Sequence, residues 1–99
     1  MPVIYHITTR ETWDSAKQKG SYEPASLKEE GFIHCSYEHQ LAGVIERYFS
    51  GKTDLVKLVI DTDKLTSKFV FDWSPSLADT FPHIYGPVNT GAVISVVPC

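Results

Sequence analysis

Glu38-His39-Gln40-Leu41-Ala42-Gly43-Val44-Ile45-Glu46-Arg47-Tyr48-Phe49 is followed, after residues 50–54, by Leu55-Val56-Lys57-Leu58-Val59-Ile60. The first run places Leu41, Val44, Ile45, Tyr48 and Phe49 at i, i+3, i+4, i+7 and i+8, one apolar stripe of a helix. Glu38, Gln40, Glu46 and Arg47 take the other side, and Gly51 stands where a helix would stop. The second run is aliphatic and β-branched, broken only by Lys57, and reads as a largely buried strand. One amphipathic helix feeding one buried strand sets the frame, and the flanks extend it unevenly.

Toward the amino terminus, Val3 to Ile7 reads as a first strand. Thr8 and Glu11 then have capping-box spacing for a helix that buries Trp13 and Ala16 and closes at Gly20. Ser26 and Glu29 repeat that spacing before Gly31, and Phe32 to Ser36 is a second short strand. Toward the carboxyl terminus, Phe69 to Trp73 alternates and Phe81 to Tyr85 is extended. A polar loop over 74–80 separates them, and Val93 to Val97 closes the chain. Helices gather in the first half and strands in the second. That distribution predicts a single α+β domain over residues 1–99, with about six short strands, one main helix and one or two short helices. Trp13, Phe69, Phe71 and Trp73 are expected in the core.

The composition narrows the function classes. Nine Lys and Arg against twelve Asp and Glu leave a net charge of −3 with no basic run, a poor match to nucleic acid or to an anionic membrane surface. No apolar stretch approaches the roughly 18–20 residues of a membrane helix, and no leader peptide is visible, so a cytoplasmic location is expected. Two cysteines, Cys35 and Cys99, are expected as free thiols, with Cys35 facing the core.

Two tripeptides share a pattern: His6-Ile7-Thr8 and His34-Cys35-Ser36 are each His-x-hydroxyl at the end of a predicted strand. Period-two alternation sets His and hydroxyl on one face, and imidazole with hydroxyl suits a phosphate or ribose oxygen. The plainer alternative makes the hydroxyls helix caps and the histidines half-buried residues. Phe81-Pro82-His83-Ile84-Tyr85-Gly86-Pro87 adds a His and a Tyr two apart, a pocket wall or else a proline-protected edge strand. His6, His34 and His83 are expected to converge on one open pocket. Three histidines would suffice for zinc, but with no carboxylate at a telling spacing no metal is assigned.

The segments Ile4 to Thr8, Glu30 to Ser36, Leu55 to Asp61 and Phe81 to Pro87 together resemble an uncharacterised bacterial family, domain of unknown function 952. More distantly, Tyr5-His6-Ile7-Thr8, His34-Cys35-Ser36 and Val59-Ile60-Asp61 are similar to the strands of ADP-ribosyltransferase-like folds, RNA 2′-phosphotransferases in particular. That resemblance implies a bent, split antiparallel sheet around a cleft for NAD or an ADP-ribosylated group. His6 would meet the adenosine ribose with Thr8 nearby, and Ser36 would hold the nicotinamide-side ribose with His34 on the same wall. Ile7 replaces the glycine those proteins carry after the first histidine, and no Glu follows Glu46. The paired motif is also similar to two-histidine phosphodiesterases, whose motifs stand farther apart.

Three readings follow. In the first, an enzyme acts on NAD, ADP-ribose or a phosphorylated nucleotide, with His34 and His83 as acid–base groups and His6, Thr8, Ser36 and Tyr85 as binders. In the second, the same residues form a non-catalytic nucleotide or ADP-ribose module. In the third, the domain is structural and holds no ligand.

Overall fold

The structure, a computed structural model, describes residues 2–99. Strand β1 (Val3–Thr9) runs into helix α1 (Arg10–Lys19); β2 (Ser21–Tyr22), α2 (Ala25–Glu30) and β3 (Ile33–His34) follow. A 3-10 turn over Glu38–Gln40 leads into α3 (Leu41–Tyr48), then β4 (Leu55–Asp61), β5 (Phe69–Ser74), β6 (Asp79–Ile84), β7 (Val88–Asn89) and β8 (Val93–Pro98). The class is α+β as expected, with eight strands rather than about six; the extra ones are the two-residue pair β2–β7.

Two three-stranded antiparallel sheets, ordered β1-β4-β8 and β3-β6-β5, carry the architecture. They are joined where Tyr5 and Ser36 exchange both backbone hydrogen bonds, at 2.9 and 2.7 Å. The main core lies between them: Ile4, Val56, Leu58 and Ile60 from one sheet meet Ile33 and Ile84 from the other, closed by Trp13 and Ala16 of α1. Ile33, Ile60 and Ile84 are fully buried, and a side chain of that size contributes roughly 1.5–3 kcal/mol on leaving water. A smaller cluster behind β1 and β4 joins Ile7 and Leu55 to Leu41, Ile45 and Phe49 of the α3 segment. The predicted stripe is thus narrower than its spacing implied: Tyr48 is 61% exposed, because only one end of that sheet lies under the helix.

Helix starts shift by one or two residues. Thr9, not Thr8, caps α1, its hydroxyl accepting the Thr12 N–H at 3.2 Å, because β1 continues two residues beyond Ile7. Pro24 rather than Ser26 precedes α2. Both helices end on glycines in the left-handed region, Gly20 at φ 81° and Gly31 at φ 85°, a conformation other residues adopt at a cost. Gln40 ties the 3-10 turn to the start of β6, donating to Asp79 Oδ2 at 2.8 Å and to the Thr80 carbonyl at 2.9 Å.

The loop expected over 74–80 shortens to residues 75–78, since β5 and β6 form a long hairpin in which Val70 faces His83 and Asp72 faces Phe81. Phe69 packs on the core, but Phe71 is 51% and Trp73 63% exposed, which corrects their expected burial: the hairpin runs past the end of the core. Trp13 and Cys35 are buried as expected. β6 is a central strand, so Pro82 is not protecting an edge; it lacks an N–H, but its carbonyl accepts the Cys35 N–H at 3.0 Å.

Candidate functional site

β3 and β6 pair in register so that His34 stands opposite His83, and their rings meet edge to face with centroids 5.3 Å apart. Each imidazole is held by its own carboxylate. His34 Nε2–H donates to Glu30 Oε2 at 2.6 Å, across the turn that Gly31 makes between α2 and β3. His83 Nδ1–H donates to Asp72 Oδ2 at 2.8 Å, from the neighbouring strand β5. A carboxylate only accepts, so these contacts fix which nitrogen carries the proton and leave His34 Nδ1 and His83 Nε2 for other partners.

Aromatic rings complete the cluster. Phe32 stacks on His83 at 4.3 Å and 21°, and lies 4.9 Å from His34 and 5.5 Å from Tyr85. The Tyr85 hydroxyl donates to the same Asp72 oxygen at 2.5 Å. Bonds from Tyr85 and His83 hold the Asp72 carboxyl below its ordinary range, and the same carboxylate raises the Tyr85 phenol. His34 is open, its side chain 55% exposed, whereas His83 is 15% exposed beneath Phe32. The arrangement is an oriented pair of imidazoles with an exposed tyrosine beside it.

His6 and Thr8 lie elsewhere, which corrects the expected convergence. Both are buried on the face of β1 that looks toward Tyr22. His6 Nδ1–H donates to the His34 carbonyl at 2.5 Å, and Nε2 accepts from the Tyr22 hydroxyl at 2.7 Å. With both ring nitrogens used inside the protein, none is left for a ribose. Burial drives the His6 pKa down to about 4 and the Tyr22 phenol up to about 12, so both are neutral at pH 7. Ser36 is buried as well, its backbone bonded to Tyr5. Of the sequence-derived candidates, the structure brings together His34, His83 and Tyr85, and it separates His6, Thr8 and Ser36 from them.

Sequence reasoning missed Phe32, Glu30, Asp72 and Tyr22. Asp72 was within reach, because pairing the two late strands as a hairpin puts it beside the residue opposite His83 on the same face. Tyr22 gives no sequence signal, as it meets His6 only through the tertiary fold. Among the described residues no three His, Cys, Asp or Glu side chains gather as metal ligands. Cys35 and Cys99 are free thiols, and burial pushes the Cys35 thiol far up, which makes it unreactive. Among the described residues no helix is long and apolar enough to cross a membrane.

The fold has counterparts among solved structures. The crystal structure of CC0527 from Caulobacter crescentus is similar at a TM-score of 0.88 and 31% identity, over 98% of this chain and 85% of that one. The solution NMR structure of CC0527 gives a TM-score of 0.82 at 31% identity, over 99% and 84%. No curated protein matches the chain. A family model described as "Protein of unknown function (DUF952)" matches residues 7–96, and with that span and those relatives the chain belongs to the DUF952 family.

Proposed function

We propose that the face formed by Phe32, His34, His83 and Tyr85 binds a phosphorylated nucleotide, NAD or ADP-ribose, and that the two imidazoles act as an acid–base pair on a phosphoester. The observation that carries this reading is the juxtaposition of two histidines, rings 5.3 Å apart, each oriented by a separate carboxylate. In such a pair one neutral imidazole takes the proton of the attacking hydroxyl, and the other, protonated, gives a proton to the leaving oxygen. Phe32 and Tyr85 supply rings for a base to stack on. Turnover needs one ring to accept and the other to donate in the same event, so the proton lost by the attacking hydroxyl is balanced by the one given to the leaving oxygen.

A second reading, a non-catalytic module for the same ligands, is favoured by two observations. The His34 side chain is 55% exposed and Tyr85 42%, so the face offers little of the enclosure that catalysis exploits. No Glu follows Glu46 to serve a glycosyl transfer of the ADP-ribosyltransferase kind.

Saturation-transfer NMR of the wild type, His34→Ala and His83→Ala against NAD, ADP-ribose, AMP and a short 2′-phosphorylated RNA tests both. Binding to at least one ligand is expected, lost by at least tenfold in both variants while their Tm stays within a few degrees. Product formation over hours separates the enzyme from the module. Silence from all four ligands, or binding indifferent to both substitutions, overturns the site.

A further inference from the structure

We propose that the groove between α1 and the free edge of β8 is a docking site for an acidic peptide segment, bound in extended form as an added strand. The groove, about 590 Å³, shares no residue with the His34 face. β8 pairs with β4 on one side only, so its other edge presents unpaired backbone groups. Four consecutive β8 residues, Val93–Val96, line the groove. A regular sheet face would contribute alternate residues; here the bulge at Ile94 breaks the alternation, and the run along this edge strand forms the wall.

The opposite wall is one stripe of α1: Arg10, Trp13 and Lys17, at i, i+3 and i+7. A groove between a strand edge and a helix is a geometry in which an extended peptide gains main-chain hydrogen bonds on one side and side-chain recognition on the other. Trp13, almost fully buried, gives an apolar floor. Arg10 and Lys17 are the only ionisable residues of the lining, and no carboxylate stands among them. Their present partners are exposed and loosely held, Asp54 at 3.9 Å from Arg10 and Asp14 at 3.5 Å from Lys17, so they exchange readily for a ligand's carboxylates. Seven helical residues separate the two cations by about 10 Å, between the roughly 7 and 13 Å that separate same-face side chains two and four residues apart in an extended chain, a difference that the long Arg and Lys side chains take up. The matching ligand alternates acidic and apolar residues.

β8 also has features that deter indiscriminate pairing. Val59 faces Ser95 and Ile60 faces Val93, so Ile94 is an extra, bulged residue, 40% exposed, and Pro98 ends the strand. Selection therefore rests on the charged helix wall as well as on the edge.

Fluorescence anisotropy with a labelled, amidated hexapeptide of alternating Asp and Val tests this, alongside its Asn/Val counterpart and versions N-methylated at every second residue in either frame. The Asp/Val peptide is expected to bind saturably, and the Asn/Val peptide at least tenfold more weakly. The double variant Arg10→Glu with Lys17→Glu should lose at least tenfold, with Arg10→Gln and Lys17→Gln as milder forms should charge reversal disturb folding. One N-methyl frame should abolish binding and the other leave it intact, because an added strand uses one side of its backbone. No saturable binding, binding indifferent to the charge variants, or equal binding of both N-methyl frames overturns the proposal. A dimer in sedimentation equilibrium that the charge variants dissolve assigns the groove to a second copy and overturns it too.

Discussion

His6-Ile7-Thr8 and His34-Cys35-Ser36 have the same pattern and opposite fates. His6 is buried with both nitrogens bonded to the protein; His34 stands at the surface with one nitrogen held by Glu30. They even touch, since the carbonyl that His6 holds is His34's own. The difference lies in what covers each strand. β1 is overlaid by Tyr22 and α1, whereas the His34 ring meets only His83, Phe32 and the Glu30 carboxylate at the end of α2 and stays open to solvent. A histidine under a lid is a structural hydrogen-bonding node, and the same residue at an open edge is a candidate for chemistry.

Removing the covered node should have the largest effect. His6→Ala leaves the His34 carbonyl without its side-chain partner, removes the ring that accepts from the Tyr22 hydroxyl and opens a cavity, for an expected loss of about 3–5 kcal/mol in urea unfolding. A loss under about 1 kcal/mol would mean that water replaces the ring without penalty. His34→Ala, at the exposed site, should move Tm by no more than a few degrees, and a comparable collapse in both variants would erase the distinction.

Acid should sharpen the same contrast. The folded His6 pKa, about 4, lies below the 6.5 of an unfolded histidine, so the unfolded state binds the proton more readily. Stability from this group is therefore complete above pH 6.5 and is lost as pH falls toward 4, by about 3 kcal/mol in total. Urea titrations at stepped pH should show that slope in the wild type and its disappearance in His6→Gln. Persistence of the slope in the variant would move the effect to other groups.

The smallest effect is expected where an aromatic lies outside the core. Trp73→Ser should cost no more than about 0.5 kcal/mol, against about 3–5 kcal/mol for Trp13→Ala. Equal costs would mean that the β5–β6 hairpin is covered in solution.

Much of this was legible in the chain. The period of Leu41 to Phe49, the aliphatic run of β4 and the glycines at 20 and 31 located α3, the central strand and two helix ends, because local spacing and backbone conformation are written residue by residue. His34, His83 and Tyr85 could be named from their motifs. The Glu30 partner could not, since it depends on the angle at which α2 meets β3, and Asp72 was reachable only by pairing the two late strands as a hairpin. The buried Trp13 and the exposed Trp73 look alike in sequence.

By itself, then, the sequence determined the α+β class, the order of the elements and the residue types available for chemistry. These follow from periodicity and conformational preference, which are local. Only the tertiary structure decided which histidine is enclosed and which is open, because burial depends on what packs over a strand from distant parts of the chain. Tyr22, sixteen residues from His6, takes one of its nitrogens, while His83, forty-nine residues from His34, comes to stand opposite it.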